Sequence, residues 1–146
     1  GYNMILRAEY QGVTKNLDIS EKIAIGGINR WRAFGELPTS SDRGLIVGAE
    51  LRKIPVPLTG LAKFLPIFSS TEASPYMFFD YGRGIVNHDA FSNNNHVKSS
   101  HYGLGIDMQF EKKWALDLSV SHQDSKIENI DAERETRLWG QIQKEF

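Results

Sequence analysis

Residues 101–110, HYGLGIDMQF, alternate without a break: Tyr102, Leu104, Ile106, Met108 and Phe110 fall on one face, and His101, Gly103, Gly105, Asp107 and Gln109 on the other. A side-chain period of two belongs to an extended strand. Just downstream, residues 114–121, WALDLSVS, set Trp114, Leu116, Leu118 and Val120 against Ala115, Asp117, Ser119 and Ser121. One face is again greasy and one wet. A half-buried strand of a soluble sandwich alternates in the same way. Length separates the two cases. Ten residues at about 3.4 Å each, tilted by about 40°, rise roughly 26 Å, which matches the apolar band of a membrane-spanning barrel. A typical strand of a soluble protein is about half as long.

Three further segments follow the pattern. Residues 2–12 place Tyr2, Met4, Leu6, Ala8 and Tyr10 on one face, with Ile5 interrupting the polar face; residues 45–53 send Leu45, Val47, Ala49 and Leu51 outward and leave Ile46, Gly48, Glu50 and Arg52 inward. In residues 75–82, PYMFFDYG, Met77, Phe79 and Tyr81 oppose Tyr76, Phe78, Asp80 and Gly82, so Asp80 is predicted to point into a lumen. A short strand is predicted over 22–27, KIAIGG, and a last one over 136–146, with Leu138, Ile142 and Phe146 outward and Lys144 intruding where it can snorkel to headgroups.

Between these strands lie a loop of about 18 residues beginning at Ile28 and ending at Gly44, a proline-rich connection over 54–75 with one helical turn expected near Leu61 to Phe64, an asparagine-rich loop over 87–100, a tight turn at 111–113 and a final loop over 126–133. Short turns alternate with longer ones, as in barrels whose short turns are periplasmic, and the proline-rich connection is the exception. The expectation is all-β: seven antiparallel strands, too few to close a barrel, so that residues 1–146 read as the C-terminal part of a larger one.

Composition narrows the function. No run of 18 apolar residues exists, which excludes a helical membrane protein, and a mean hydropathy of −0.37 is no objection to a barrel, in which every second residue faces the lumen. The absence of cysteine removes disulfides and thiol chemistry, and a net charge of −1 without a long basic run gives no nucleic-acid footprint. His88, His96 and His101 lack metal-ligand spacing and read as solvated loop residues. No serine sits in a G-x-S-x-G elbow, and Gly103-Leu104-Gly105 lacks the rest of a dinucleotide fingerprint, so no enzyme activity and no cofactor is expected. Lumen-facing glycines of this kind would make room for a plug.

Residues 17–52, LDISEKIAIGGINRWRAFGELPTSSDRGLIVGAELR, resemble the signature of two-partner secretion transporters of the haemolysin, filamentous haemagglutinin and contact-dependent inhibition type. The matching residues are Leu17, Glu21, Gly26, Gly27, Arg32, Phe34, Asp42, Gly44, Glu50, Leu51 and Arg52, while Trp31 and Ala33 replace the usual Val and Gly of the loop motif. Phe78, Asp80 and Gly82 of FFDYGRG resemble the family's second signature, F-x-D-x-G. The resemblance implies a barrel of sixteen strands in the bacterial outer membrane, preceded by periplasmic POTRA domains, that passes a secreted exoprotein. It also implies a long loop folded back into the lumen, where Arg32 meets Asp80. A guanidinium there needs a carboxylate to offset its desolvation. The terminal Phe146 resembles the signal read by barrel-assembly machinery. An outer-membrane protein assembly factor of the same superfamily and a soluble β-sandwich binding module are the alternative readings.

Overall fold

A computed structural model describes residues 1–15, 17–25, 39–60, 63–85, 96–110, 113–127 and 130–145. Its strands are β1 (Tyr2–Gln11), β2 (Ile23–Ile25), β3 (Thr39–Ser41), β4 (Arg43–Lys53), β5 (Val56–Pro57), β6 (Thr71–Ile85), β7 (His96–Phe110), β8 (Trp114–Ile127) and β9 (Ile130–Lys144). Six of them form one antiparallel sheet in the order β1-β4-β6-β7-β8-β9, with β5 paired to β6 beyond the end of β4; β2 and β3 make a separate two-stranded ribbon. Among the described residues the sheet is open, with β1 and β9 as its edges.

The register shows why alternation along single strands becomes sidedness of the whole sheet. Met4 pairs with Leu51, Leu51 with Met77, Met77 with Leu104, Leu104 with Val120 and Val120 with Leu138, an unbroken apolar row across all six strands. Every member of that row is exposed, from 39% for Leu51 to 84% for Leu138. On the opposite face Ile46, Tyr76, Phe78, Asp80, Ser99, His101 and Ser119 are buried. The inward and outward sets expected for 2–12, 45–53, 75–82, 101–110 and 114–121 are therefore the ones observed.

Two expectations change. The strand at 22–27 does not join the wall: β1 pairs β4 along its full length, from Tyr2 against Lys53 to Gln11 against Gly44, and leaves no edge between them. The loops over 87–100 and 126–133 are shorter than expected, because β7 begins at His96, β8 runs to Ile127 and β9 starts at Ile130. Backbone pairing needs no apolar side chains, so a ladder can continue through polar sequence beyond the apolar band. In the proline-rich connection Lys63 is in 3-10 conformation while Leu61 and Ala62 of the expected helical turn lie outside the described residues; a further 3-10 turn spans Pro66–Ser70, and the sheet resumes at Thr71.

At one end of the sheet, the turn end, lie the β4–β6 connection, the β7–β8 turn and the end of β9, tied to that turn by the Glu145 N–H donating to the Lys113 carbonyl. The opposite end carries the β1–β4 excursion and is the loop end.

Candidate functional site

The sheltered face carries two groups of interacting side chains, one toward the turn end and one at the base of the β1–β4 excursion. In the first, alternate residues of β4, β6, β7 and β8 project to the same side, so Glu50, Arg52, Tyr76, Asp107 and Asp117 converge though they are far apart in sequence. Arg52 is ion-paired with Asp107, holds Glu50 Oε1 at 2.8 Å, and lies 4.7 Å above the centroid of the Tyr76 ring. The Tyr76 hydroxyl donates to Asp117 at 2.8 and 3.1 Å. One arginine thus stands between two carboxylates, and a tyrosine carries the network to a third.

Glycine makes this crossing possible. Tyr76 pairs with Gly105 and Phe78 with Gly103. A Cβ on Gly105 would overlap the Tyr76 ring, and one on Gly103 would meet the Phe78 ring and the Val120 carbonyl. The glycines of β7 therefore accommodate aromatic rings of the neighbouring strand, where room for a plug was expected. Covering a strand glycine with an adjacent aromatic replaces the packing that the missing side chain would have made. Beyond this layer the face opens into a recess of about 400 Å³ whose lining mixes the polar Glu72, Asp107, Asp117 and Gln141 with the apolar Pro55 and Ala115.

Asp80 stands in register between Gly48 on β4 and His101 on β7, 9% exposed, with Phe78 and Gly82 on the same side. Glu50, two residues from Gly48 along β4, is buried as well. His101 is 1% exposed in mid-strand, with Nε2 3.1 Å from the Ser99 hydroxyl, so it is a wall residue and not the solvated loop histidine expected. Residues 96–100 belong to β7, which carries His101 onto the sheltered face. No group of side chains among the described residues has the makeup of a metal site.

At the loop end, Asp42 is fully buried and gathers the start of the excursion. Its carboxylate accepts from the Leu17 N–H at 2.8 Å and pairs with Lys22 at 3.5 Å. The Gln11 amide donates to the carbonyls of Glu21 and Asp42, and Arg43 Nε donates to the Val13 carbonyl. Ile23 of β2 sits where a side chain on Gly44 would be, 2.7 Å from the position of its Cβ, so the β2–β3 ribbon lies on the sheltered face against β4 and β6. Leu17, Glu21, Asp42 and Gly44, picked out in the sequence only by resemblance, thus have a physical task in closing the base of the excursion. Gln11, Tyr76, Asp107 and Asp117 were not singled out; their strand parity was visible, but their partners were not.

Gly26, Gly27, Trp31, Arg32, Ala33, Phe34 and Phe146 lie outside the described residues. Asp80, Glu50, Phe78 and Gly82 are all found on the sheltered face.

No family model matches the chain, and no solved structure matches it. Among curated proteins it is 28% identical, over 126 residues, to the heme/hemopexin transporter protein HuxB of Haemophilus influenzae strain 86-028NP, covering 83% of this chain and 20% of that protein. The protein of the same name from strain Rd is 27% identical over the same length. The chain spans about a fifth of the length of the curated relatives it matches, and along most of its own length it is similar to part of a transporter.

Proposed function

We propose that this chain is part of the wall of a sixteen-stranded transmembrane β-barrel in a bacterial outer membrane, and that the whole protein passes a secreted partner protein by two-partner secretion. The observation that carries the reading is the exposed row Met4, Leu51, Met77, Leu104, Val120 and Leu138, backed by a polar sheltered face. An apolar surface of that extent is favourable against lipid and unfavourable against water. Similarity to proteins named as transporters supports transport over the assembly-factor reading. The partners are then the exoprotein, outer-membrane lipid and, during insertion, the barrel-assembly machinery reading Phe146; no residue is assigned a catalytic role.

Within this reading the long loop folds into the lumen and Arg32 pairs with Asp80. Two features support it: the loop's base, the β2–β3 ribbon, already lies on the sheltered face, and Asp80 is buried on that face. Stranding one charge of a buried pair costs typically about 3–5 kcal/mol, less in a wet lumen. In the full-length protein, Arg32→Ala and Asp80→Ala should each impair release of the partner into the medium while leaving barrel insertion intact. The double variant should be little worse than either single. Additive defects, or normal secretion by Arg32→Ala, would refute the pair.

A further inference from the structure

The returning part of the connection between β4 and β6 lies on the outward side of the wall; its start does not, since β5 pairs with β6 in the sheet and Pro55 lines the sheltered recess. Along most of β6 the buried residues are the inward ones, Tyr76, Phe78 and Asp80, while outward Met77 and Phe79 are 52% and 46% exposed. At the turn end the phase reverses. Thr71 and Ala73, outward by their pairing with Phe110 and Met108, are 1% and 2% exposed, and inward Glu72 is open to the recess. The change falls between Ala73 and Ser74, both buried. What covers Thr71 and Ala73 is the returning connection, whose 3-10 turn Pro66–Ser70 packs on both β6 and β7, while the Leu58 N–H, donating to the Thr71 carbonyl, extends the β5–β6 ladder in the plane of the sheet.

Having folded back, this flap leaves its own apolar side chains uncovered. Phe64 is 81% exposed, Leu65 55% and Ile54, where the flap leaves β4, 45%. They sit beside Lys63, at the same end as Lys53, Lys113 and Lys144, and the Lys144 ammonium lies 4.9 Å from the centroid of the outward Trp114 ring. The acidic residues described toward this end are Glu50, Glu72, Asp107 and Asp117, all on the sheltered face, and Glu145. Apolar side chains flanked by lysines, outside the wall and continuous with its apolar band, have the composition of a segment lying in a membrane interface.

We propose that residues 63–70 form an interfacial anchor, with Phe64 and Leu65 inserted at the boundary between headgroups and acyl chains and the lysines of this rim on anionic headgroups. The proposal rests on the barrel reading, and the test separates the two.

In the full-length protein, freed of any other cysteine and placed in phosphatidylethanolamine–phosphatidylglycerol vesicles, Phe64→Cys and Leu65→Cys are each labelled with an environment-sensitive fluorophore. Leu118→Cys, in the outward band, and Asp117→Cys, on the sheltered face, are labelled in parallel. Labels at 64 and 65 should be quenched about twofold or more by headgroup-level nitroxide lipid and less by lipid brominated at mid-chain, whereas the label at 118 should show the reverse order and that at 117 neither. Labels at 64 and 65 that no lipid quencher reaches, with 118 still quenched, would overturn the anchor and leave the barrel standing. So would quenching at 64 and 65 as deep as at 118. Loss of quenching at 118 as well would overturn both.

Discussion

Tyr76 reaches Asp117 two strands away, its hydroxyl 2.8 Å from Oδ1, by laying its ring across Gly105 of the intervening β7. Arg52 closes over the same ring and holds Glu50 and Asp107. Backbone hydrogen bonds join each strand only to its neighbours. These side chains tie four strands into one layer.

The glycine is therefore as necessary as the tyrosine. Gly105→Ala should displace the Tyr76 ring and destabilise the wall by about 1–3 kcal/mol, the usual cost of overpacking. Gly60→Ala, at a position where an added Cβ meets nothing within 4 Å, should change stability by less than about 0.5 kcal/mol. The temperature at which the folded, fast-migrating gel band of the full-length protein is lost measures both.

Tyr76→Phe keeps the ring over Gly105 and removes only the hydroxyl. It should cost about 1.5–3 kcal/mol as a hydrogen bond to a charged group, toward the lower figure because the site borders a wet recess. Asp117→Asn retains an acceptor and should cost less. A larger loss for Asp117→Asn in the same melting assay would show that the carboxylate serves some partner other than Tyr76.

Arg52 offsets two carboxylates, so its removal does more than delete a bond. Arg52→Ala should remove the cation that Asp107 faces, and adding Asp107→Asn should restore part of the loss. The coupling should be about 1 kcal/mol, since Arg52 and Asp107 are partly exposed and solvent screens them. Strict additivity in the double-mutant cycle would mean that the pair contributes nothing.

At the loop end, Asp42→Ala should cost about 1–3 kcal/mol by stranding the Leu17 N–H and the Lys22 ammonium. Asp42→Asn, which keeps an acceptor, should do less harm. The defect should be local: faster limited proteolysis between residues 12 and 42, with the melting of the wall unchanged. Equal loosening of both would make Asp42 a general core residue.

Sidedness has its own test. Cysteines at Leu104, Ile106, Leu116 and Leu118 should be shielded by lipid, and those at Asp107 and Asp117 should react with a small aqueous maleimide. Equal reaction of both sets in the assembled protein would reject a lipid-facing wall.

Strand type, facing and approximate extent were legible because they are local. A side-chain period of two assigns Leu104 and Asp107 to opposite faces whatever the neighbouring strands are. The resemblance likewise drew attention to Asp42 and Gly44, without a physical reason for either. Strand ends were read too short at 96–100 and 126–133, since a ladder is held by backbone groups that all residues share.

What only the tertiary structure decided is pairing. No local signal places Tyr76 over Gly105, Arg52 beside Asp107 or Asp42 against Leu17, because each meeting depends on register between segments tens of residues apart. Nor could strand parity reveal that the proline-rich connection turns outward and buries Thr71 and Ala73. Alternation states which side of its own strand a residue occupies; what lies against that side is set by how distant strands align and by where the chain goes after it leaves the sheet.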